Sequence, residues 1–232
     1  MTYIYHISRT LLQEKISKYG HYMSGRMLDA GSGSYNRYSH FFHCNSIVRM
    51  DVKEDNNVDI VGSADDMPFK DNEFDSVLST QVFEHLEYPE KAAAEIARVI
   101  KRGGYLLVTV PQWNELHEEP HDYWRYTCFG LKLLFERYGF STIEYEQYGG
   151  FFSTRAQMCM RYLIDSLGLY KKKSWFVRLI SFLFRMWGEV AIWFDKLDNS
   201  KSNRKHTIGW IFVFMKNADH IKSVASQFKI SS

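Results

Sequence analysis

The first two thirds of the chain alternate between short apolar runs and segments with helical spacing. Five apolar runs predict strands, at about 26–30, 47–51, 58–61, 74–79 and 104–110. Two segments between them predict helices, near 35–43 and 89–101. Alternation of strand and helix is typical of a parallel sheet with right-handed connections. The pattern therefore predicts an α/β, doubly wound fold with helices on both faces of the sheet.

Further elements are expected at both ends of this core. Apolar residues recur at helical spacing in residues 3–20 and predict an amphipathic leading helix. Another helix is expected to end at Gly139. Two more strands, at 141–147 and 207–216, bring the mostly parallel sheet to seven strands. Between those two strands we expect a helical insertion of roughly sixty residues.

A glycine-containing turn follows the first predicted strand. Residues 28–33 read Leu-Asp-Ala-Gly-Ser-Gly, and Asp51 ends the next strand about twenty positions later. This layout predicts a strand, a tight turn and a helix, followed by a carboxylate that can bind the two hydroxyls of a ribose. The third glycine of a dinucleotide-binding turn is missing, and Asp29 would face the anion of a pyrophosphate. The motif therefore favours a nucleoside cofactor that carries an ammonium and a sulfonium group.

Further motifs follow this turn along the sequence. They are the stretches at 61–69 and 74–79, Glu84-His85-Leu86, and the stretches at 95–104 and 105–111. In combination these residues resemble the class I S-adenosylmethionine-dependent methyltransferases with a methyltransferase type 11 domain, over about residues 24–150. The resemblance implies a Rossmann-like fold and S-adenosyl-L-methionine as the cofactor.

The resemblance also assigns cofactor contacts to positions in this chain. It implies a binding set of Asp29, Gly31, Ser32, Gly33, Asp51, Ser63, Ala64, Asp65, Met67, Thr80 and Gln81. The turn would lie beside the methionine moiety, Asp51 at the ribose, and Thr80 and Gln81 at the amino-acid end. Ser63 stands where the family usually has an acid that accepts from the adenine amino group, and Asp65 is an alternative acceptor.

Residues 111–127 follow the fifth predicted strand and carry most of the groups suited to chemistry. Methyl transfer needs an aligned nucleophile and, for a hydroxyl, removal of its proton, so His117 and His121 are candidate catalytic bases. The candidate substrate contacts are Trp113, Tyr123, Arg125 and Tyr126. Similar loops occur in methyltransferases of bacterial surface-polysaccharide gene clusters. The sequence leaves open a structural alternative, in which these groups only fix the loop to the sheet.

The segment from His117 to His121 also matches the H-E-x-x-H zinc motif. That motif requires both histidines on one face of an uninterrupted helix, but Pro120 removes a backbone donor. No third ligand is evident in the sequence, and the three cysteines are far apart. We therefore predict neither a metal site nor a disulfide framework.

The most apolar part of the insertion is 174–194. If it is helical, its polar side chains fall on one narrow stripe: Ser174, Arg178, Ser181, Arg185 and Glu189. A bilayer span is disfavoured, because each charged side chain near its middle would cost about 2.5–3.5 kcal/mol. Three roles stay open for 171–197, namely a lid, a homodimer contact, and a peripheral membrane helix with Lys171, Lys172 and Lys173 near anionic lipid.

Charge is distributed unevenly along the 232 residues. The net charge of +2 divides into −7 for residues 1–150 and +9 for residues 151–232. The basic second part leaves two explanations open, a solvated face and attraction to an anionic surface or substrate. The sequence begins without a signal peptide, so we expect a cytoplasmic protein, with the inner membrane face as a further site. We expect four segments: a leading helix over the cofactor (1–23), a cofactor-binding core (24–150), the helical insertion (151–205), and a final strand with its tail (206–232).

These observations lead to one principal hypothesis and several alternatives. The principal hypothesis is an S-adenosylmethionine-dependent methyltransferase that methylates an oxygen of a glycan or a lipid-linked glycan precursor. An alternative enzyme would methylate a small isoprenoid or aromatic acceptor. A third hypothesis is a catalytically inactive cofactor-binding domain that serves as a partner module. We expect no nucleic-acid partner.

Overall fold

The computed structural model describes residues 4–171 and 175–218. It contains a seven-stranded sheet with the order β3-β2-β1-β4-β5-β7-β6, in which β7 is antiparallel to both neighbours. The strands are Arg26–Ala30 (β1), Ser46–Asp51 (β2), Ile60–Val61 (β3), Phe74–Thr80 (β4), Ile100–Pro111 (β5), Phe140–Tyr148 (β6) and Gly209–Lys216 (β7). The predicted α/β, doubly wound and mostly parallel sheet is confirmed.

Helices cover both faces of the sheet. They are Ile7–Tyr19 (α1), Pro89–Val99 (α2), Cys128–Glu136 (α3), Phe151–Ser166 (α4), Trp175–Leu197 (α5) and Lys201–Lys205 (α6). The last three form the insertion between β6 and β7, as predicted. Among the residues that the structure describes, no helix is long and apolar enough to cross a bilayer.

The helix predicted near 35–43 is wrong. Only a short 3-10 turn, Ser39–Phe41, lies between β1 and β2. This connection is rich in serine, asparagine, histidine and aromatic residues, which have low helix propensity. The Asn36 side chain accepts a hydrogen bond from the backbone N–H of Ser39 at 3.3 Å, so local side-chain bonding replaces helical bonding there. The space beside the glycine turn is therefore bounded by a loop.

Two apolar layers enclose the sheet. Neighbouring residues of one strand point to opposite layers, as Met27 and Leu28 do on β1. One layer packs the sheet against α2 and α3, and the other packs it against α1, α4 and one side of α5. The helices are therefore held by continuous cores on both faces, and the carboxyl ends of the parallel strands remain free to form a site.

Helix α5 packs on the rest of the protein through a narrow stripe. Val177, Phe184, Gly188 and Ala191 are buried, whereas most of its large apolar side chains are exposed. The predicted polar stripe is only partly solvent-facing, because the Ser181 hydroxyl accepts a hydrogen bond from the backbone N–H of Tyr5 at 3.0 Å. Ser174, Lys172, Lys173 and the tail at 219–232 lie outside the described residues.

Candidate functional site

A cleft of about 600 Å³ opens at the carboxyl ends of β1, β2 and β4. Its floor is formed by the turn after β1 and by Thr80 and Gln81 after β4. Its roof comes from α1, α4 and the loop 112–127. This is the position where open α/β sheets bind their ligands, and it brings together segments that are far apart in the sequence.

The glycine turn has a conformation that depends on its glycines. Gly31 and Gly33 have φ angles of +84° and +62°, which favour glycine because it has no Cβ. A Cβ on Gly31 would lie 2.2 Å from Cγ2 of Val82, so the turn passes tightly against the segment after β4. The Asp51 carboxylate accepts hydrogen bonds from the backbone N–H groups of Gly33, at 2.9 Å, and Lys53, at 3.1 Å. The turn and the ribose-binding candidate are thus fixed relative to each other.

Asp29 lies at the floor of the cleft. Burial raises the pKa of its carboxyl group to about 7, the Arg49 charge lowers it, and the Asp51 charge raises it further. A carboxyl group that titrates near neutral pH becomes a stable anion when a cation binds beside it. This environment suits a ligand with positive charge and is unfavourable for a pyrophosphate.

The adenine end of the predicted set is only partly in the cleft. Gly62 and Ala64 line it, but Ser63, Asp65 and Met67 do not. The Ser63 hydroxyl donates a short hydrogen bond to the Asp65 carboxylate. These two polar groups therefore satisfy each other beside the cleft.

Arg98 and Glu95 of α2 form hydrogen bonds with the backbone just after Ala64. The Arg98 guanidinium donates to the carbonyls of Met67, at 3.0 Å, and Phe69, at 2.6 Å. The Glu95 carboxylate accepts from the backbone N–H of Met67 at 2.8 Å. The hydrogen bonds of Arg98 and Glu95 thus position one wall of the cleft.

The segments that form the roof of the cleft are joined to one another by an ion pair and by hydrogen bonds. Arg161 of α4 forms a short ion pair with Glu115 of the loop 112–127 and donates to the Tyr170 hydroxyl. His6 lines the cleft and shares a 2.9 Å hydrogen bond with the same hydroxyl. Burial lowers the pKa of His6 to about 3, so this imidazole is neutral at physiological pH.

Of the two candidate bases, only His117 lines the cleft. Its Nδ1 lies 3.2 Å from the Glu115 carbonyl oxygen and 3.2 Å from Oδ2 of Asp122. Burial alone would raise the pKa of Asp122, but hydrogen bonds from Arg125 and from the backbone N–H of His117 lower it to about 2. Asp122 is therefore an anion that orients the His117 ring.

The other predicted loop residues do not line the cleft. His121 is exposed and bonds through Nδ1 to the Tyr123 hydroxyl at 3.0 Å. The Arg125 guanidinium donates hydrogen bonds to the Asp122 carboxylate and to three loop carbonyls. Trp113 and Tyr123 are exposed outside the cleft, and Tyr126 is buried in the core. The polar side chains of His121 and Arg125 therefore bond to other groups of the same loop.

Sequence reasoning did not assign a site role to Glu84 or His85. His85 lines the cleft, and its Nδ1 lies 2.6 Å from the carbonyl oxygen of His121. Burial raises the pKa of Glu84 to about 8. The only sequence signal was the Glu84-His85 pair after β4. The loop that contacts His85 lies more than thirty positions later in the sequence.

Comparison with known proteins agrees with this geometry. A family model described as a methyltransferase domain matches residues 28–108. Two uncharacterized proteins of Methanocaldococcus jannaschii are 43% identical over 51 residues and 47% identical over 53 residues. These matches span 22% and 23% of the chain, and only 25% and 23% of the relatives' own length.

Three solved structures illustrate the shared fold. The [4+2]-cyclase SpnF is 18% identical, with a TM-score of 0.59, and the match covers 91% of this chain and 82% of that one. Phosphoethanolamine N-methyltransferase 2 of Haemonchus contortus, in complex with S-adenosyl-L-methionine, is 20% identical, with a TM-score of 0.54 and coverage of 90% and 52%. The YcgJ protein of Bacillus subtilis is 15% identical, with a TM-score of 0.54 and coverage of 91% and 100%. The chain therefore has the Rossmann-like methyltransferase fold, and its residues 28–108 match the model of a methyltransferase domain.

Proposed function

We propose that the chain is an S-adenosylmethionine-dependent methyltransferase that methylates a hydroxyl oxygen of a glycan or a lipid-linked glycan precursor. The observation that carries this proposal is the position of His117. Its ring lines the same cleft as the glycine turn and Gln81, and the buried Asp122 orients it. His117, as the group proposed to handle the acceptor proton, and the turn proposed to bind the donor therefore line the same cavity.

In this proposal the core at 24–150 binds the donor. Gly31 and Gly33 let the backbone approach the methionine moiety, Asp51 accepts from the ribose hydroxyls, and Asp29 attracts the cationic end. The bound cofactor supplies a methyl group already activated by sulfonium. The protein aligns the acceptor oxygen with that methyl group and removes its proton, which are the two contributions an in-line transfer needs.

The composition of the cleft favours a hydroxyl-rich acceptor over an aromatic or isoprenoid one. Polar and charged side chains dominate the roof, among them Arg9, Glu115, Gln157 and Arg161. Trp113 and Tyr123 lie outside the cleft, and the tyrosines that line it, Tyr35, Tyr38 and Tyr148, each carry a hydroxyl group. Sugar hydroxyls can pair with such a lining, whereas an isoprenoid would leave it unsatisfied.

The exposed face of α5 supports the lipid-linked form of the acceptor. Six of its large exposed side chains are Trp175, Phe182, Leu183, Trp187, Val190 and Trp193. Beside them, an apolar groove of about 280 Å³ lies between α4 and α5. Arg178 and Arg185 are exposed on the same helix. Tryptophans and basic residues around an apolar face are typical of helices that lie in a membrane interface, so we propose peripheral contact with the inner membrane face.

Turnover decides between this enzyme and a catalytically inactive cofactor-binding module. The similarity to a cyclase is a reason to measure chemistry directly, since the fold alone does not define a reaction. The purified chain is incubated with S-adenosylmethionine and lipid-linked or free glycan acceptors, and S-adenosylhomocysteine formation is followed. We expect acceptor-dependent product. Donor binding without turnover on any acceptor would favour the inactive module.

A matched pair of variants then tests His117. We expect His117→Ala to lower kcat by about 10²-fold or more, because proton handling contributes about 10²–10⁴-fold. His121→Ala should have a much smaller effect, because its ring lies outside the cleft. Equal kcat for His117→Ala and the unchanged chain would exclude a role for His117.

Membrane contact is tested by flotation with anionic liposomes at low salt. We expect the chain to float with the vesicles. A homodimer that buries α5 is the alternative occupant of this face, and light scattering measures it. A stable dimer that does not float would replace the membrane proposal with a dimer contact.

A further inference from the structure

Glu84 is a buried carboxyl group with no visible partner. It lies in the short turn Phe83–His85 after β4, and it is fully buried. Neither of its carboxylate oxygens has a hydrogen-bond partner among the described residues. Isolated buried carboxylates are costly, and those found in proteins are paired, hydrogen-bonded or bound to a metal. This side chain therefore requires an explanation that the donor site does not supply.

Two imidazoles lie next to this carboxylate. One ligand atom each from Glu84, His85 and His117 can be chosen so that all three lie within 4.8 Å of one another. The rings of His85 and His117 are 4.8 Å apart between centroids and nearly perpendicular, at 76°. Bonds of about 2.0–2.2 Å to one ion place its ligand atoms roughly 3 to 4 Å apart. A small closing movement would bring the three groups to that spacing.

The surroundings of both histidines leave Nε2 available as a ligand. Nδ1 of His85 lies 2.6 Å from the carbonyl oxygen of His121, and Nδ1 of His117 contacts the Glu115 carbonyl oxygen and Asp122. A carbonyl oxygen can only accept a hydrogen bond, so each neutral ring carries its proton on Nδ1. The lone pair of Nε2 is then free.

Asp122 and His117 also form the arrangement that supports metal-bound histidines. The Asp122 side chain is only 2% exposed, and the Arg125 guanidinium holds it with two hydrogen bonds of 2.6 and 2.7 Å. A carboxylate on the second nitrogen of a metal-bound histidine fixes its tautomer and its orientation. The loop 112–127 thus provides both a ligand and its support.

We propose that Glu84, His85 and His117 bind a divalent transition-metal ion at the part of the cleft that His85 and His117 line. Two imidazoles and one carboxylate suit zinc, manganese or ferrous iron, and they leave coordination positions open. Magnesium, which prefers oxygen ligands, is a poor match. The proposal reverses our sequence-based expectation that the chain lacks a metal site.

The metal deepens the proposed function and rests on it, because an acceptor hydroxyl would take an open position. Coordination lowers the pKa of that hydroxyl, and its proton passes to water. The oxygen lone pair then forms the O–CH₃ bond while the S–CH₃ bond breaks, and its electron pair stays on sulfur. The products are a methyl ether and S-adenosylhomocysteine. In this arrangement His117 promotes removal of the acceptor proton through the metal that it binds.

Metal content provides a test that does not depend on an acceptor. The purified chain is stripped with a chelator, dialysed, and titrated with Zn²⁺, Mn²⁺ or Mg²⁺, and bound metal is measured by atomic emission. We expect one Zn²⁺ or Mn²⁺ per chain and no comparable Mg²⁺ binding. Glu84→Gln, which is nearly isosteric, and His117→Ala should weaken affinity at least about tenfold.

His121→Ala is the matched control in the same loop. It retains the carbonyl group that contacts His85, so it should keep the metal. S-adenosylhomocysteine binding by every variant reports an intact donor cleft. The metal proposal fails if the unchanged chain binds neither Zn²⁺ nor Mn²⁺, or if Glu84→Gln binds them equally well. Donor binding without metal binding would leave the methyltransferase proposal standing, whereas no donor binding would remove it.

Discussion

Gly31 illustrates how a single backbone position shapes the donor cleft. Its φ of +84° places it in the left-handed region, and a Cβ there would lie 2.2 Å from a methyl group of Val82. Gly33 has a similar φ of +62° but no atom within 4 Å of an added Cβ. Both positions are strained for other residues, but only the first is also sterically closed. A comparison of substitutions at Gly31 and Gly33 therefore separates the effect of backbone strain from the effect of steric packing.

Gly31→Ala should lower the free energy of unfolding by about 2–5 kcal/mol, the sum of left-handed strain and overpacking. Gly33→Ala should lose only the strain, about 1–2 kcal/mol. Urea denaturation measures both, and calorimetry with S-adenosylhomocysteine should show at least tenfold weaker binding for Gly31→Ala. Equal losses in the two variants would contradict the role of Val82.

We expect Asp29 to make binding of the proposed donor depend on pH. Burial first, and the Asp51 charge in addition, raise its pKa to about 7, while Arg49 opposes them. Below this pH the carboxyl group is protonated and attracts a cation less strongly. In the protein without ligand, stability changes with pH in the opposite direction to affinity. Because the pKa of Asp29 is raised by folding, the free energy of unfolding falls as pH rises from the ordinary carboxyl pKa near 4 to about 7.

Affinity for S-adenosylmethionine should therefore rise between pH 6 and pH 7.5, by up to about tenfold per pH unit below the pKa. The cationic ligand stabilises the ionised carboxylate, so binding releases a proton. Calorimetry in two buffers of different ionisation enthalpy measures that proton. Asp29→Asn should flatten the pH profile, and an unchanged profile would exclude Asp29 as the titrating group.

At the scale of elements, α4 links the cleft to the insertion. Gln157 and Arg161 face the cleft, while other residues of α4 pack against α5. The N-terminus of α4 is capped from α5: the Asp195 carboxylate accepts from the backbone N–H groups of Gly150, Phe152 and Ser153 at 2.9–3.0 Å. Such bonds satisfy donors that a helix N-terminus leaves free, and the negative charge suits the helix dipole. One carboxylate thus holds two helices together.

Asp195→Ala should lower the free energy of unfolding by about 1–3 kcal/mol, because it removes three charge-assisted hydrogen bonds from partly buried donors. Asp198→Ala is the matched control, since that exposed carboxylate accepts hydrogen bonds from the nearby Ser200. Its urea midpoint should remain close to that of the unchanged chain. Similar midpoints for both variants would show that the cap does not stabilise the α4–α5 pair.

Across the whole molecule, positive charge and exposed apolar surface are concentrated in residues 151–232. Residues 151–232 carry a net charge of +9 against −7 for residues 1–150. The exposed apolar face of α5 belongs to the same part. An apolar face with surrounding positive charge combines both contributions to interfacial membrane binding, namely burial of apolar area and attraction to anionic lipid.

Charge reversal tests the electrostatic contribution. The double variant Arg178→Glu and Arg185→Glu should bind anionic vesicles at least about tenfold more weakly, because each basic residue near such a surface contributes about 1 kcal/mol. Arg137→Glu, an exposed position beyond α3, is the control and should bind more strongly than the double variant. Vesicle co-sedimentation at two salt concentrations measures this, and equal binding by all three proteins would exclude electrostatic attraction through α5.

The sequence alone determined the sheet and the position of the glycine turn. Apolar periodicity predicted all seven strands, because each strand must bury side chains on the faces of one sheet. Local patterns failed between β1 and β2, where the composition forms a loop in place of a helix. Only the tertiary structure brought Glu84 and His85 to His117, and only it removed Arg125 and His121 from the cleft. The physical reason is that periodicity records which residues are buried, whereas a site depends on which distant loops meet above the strand ends.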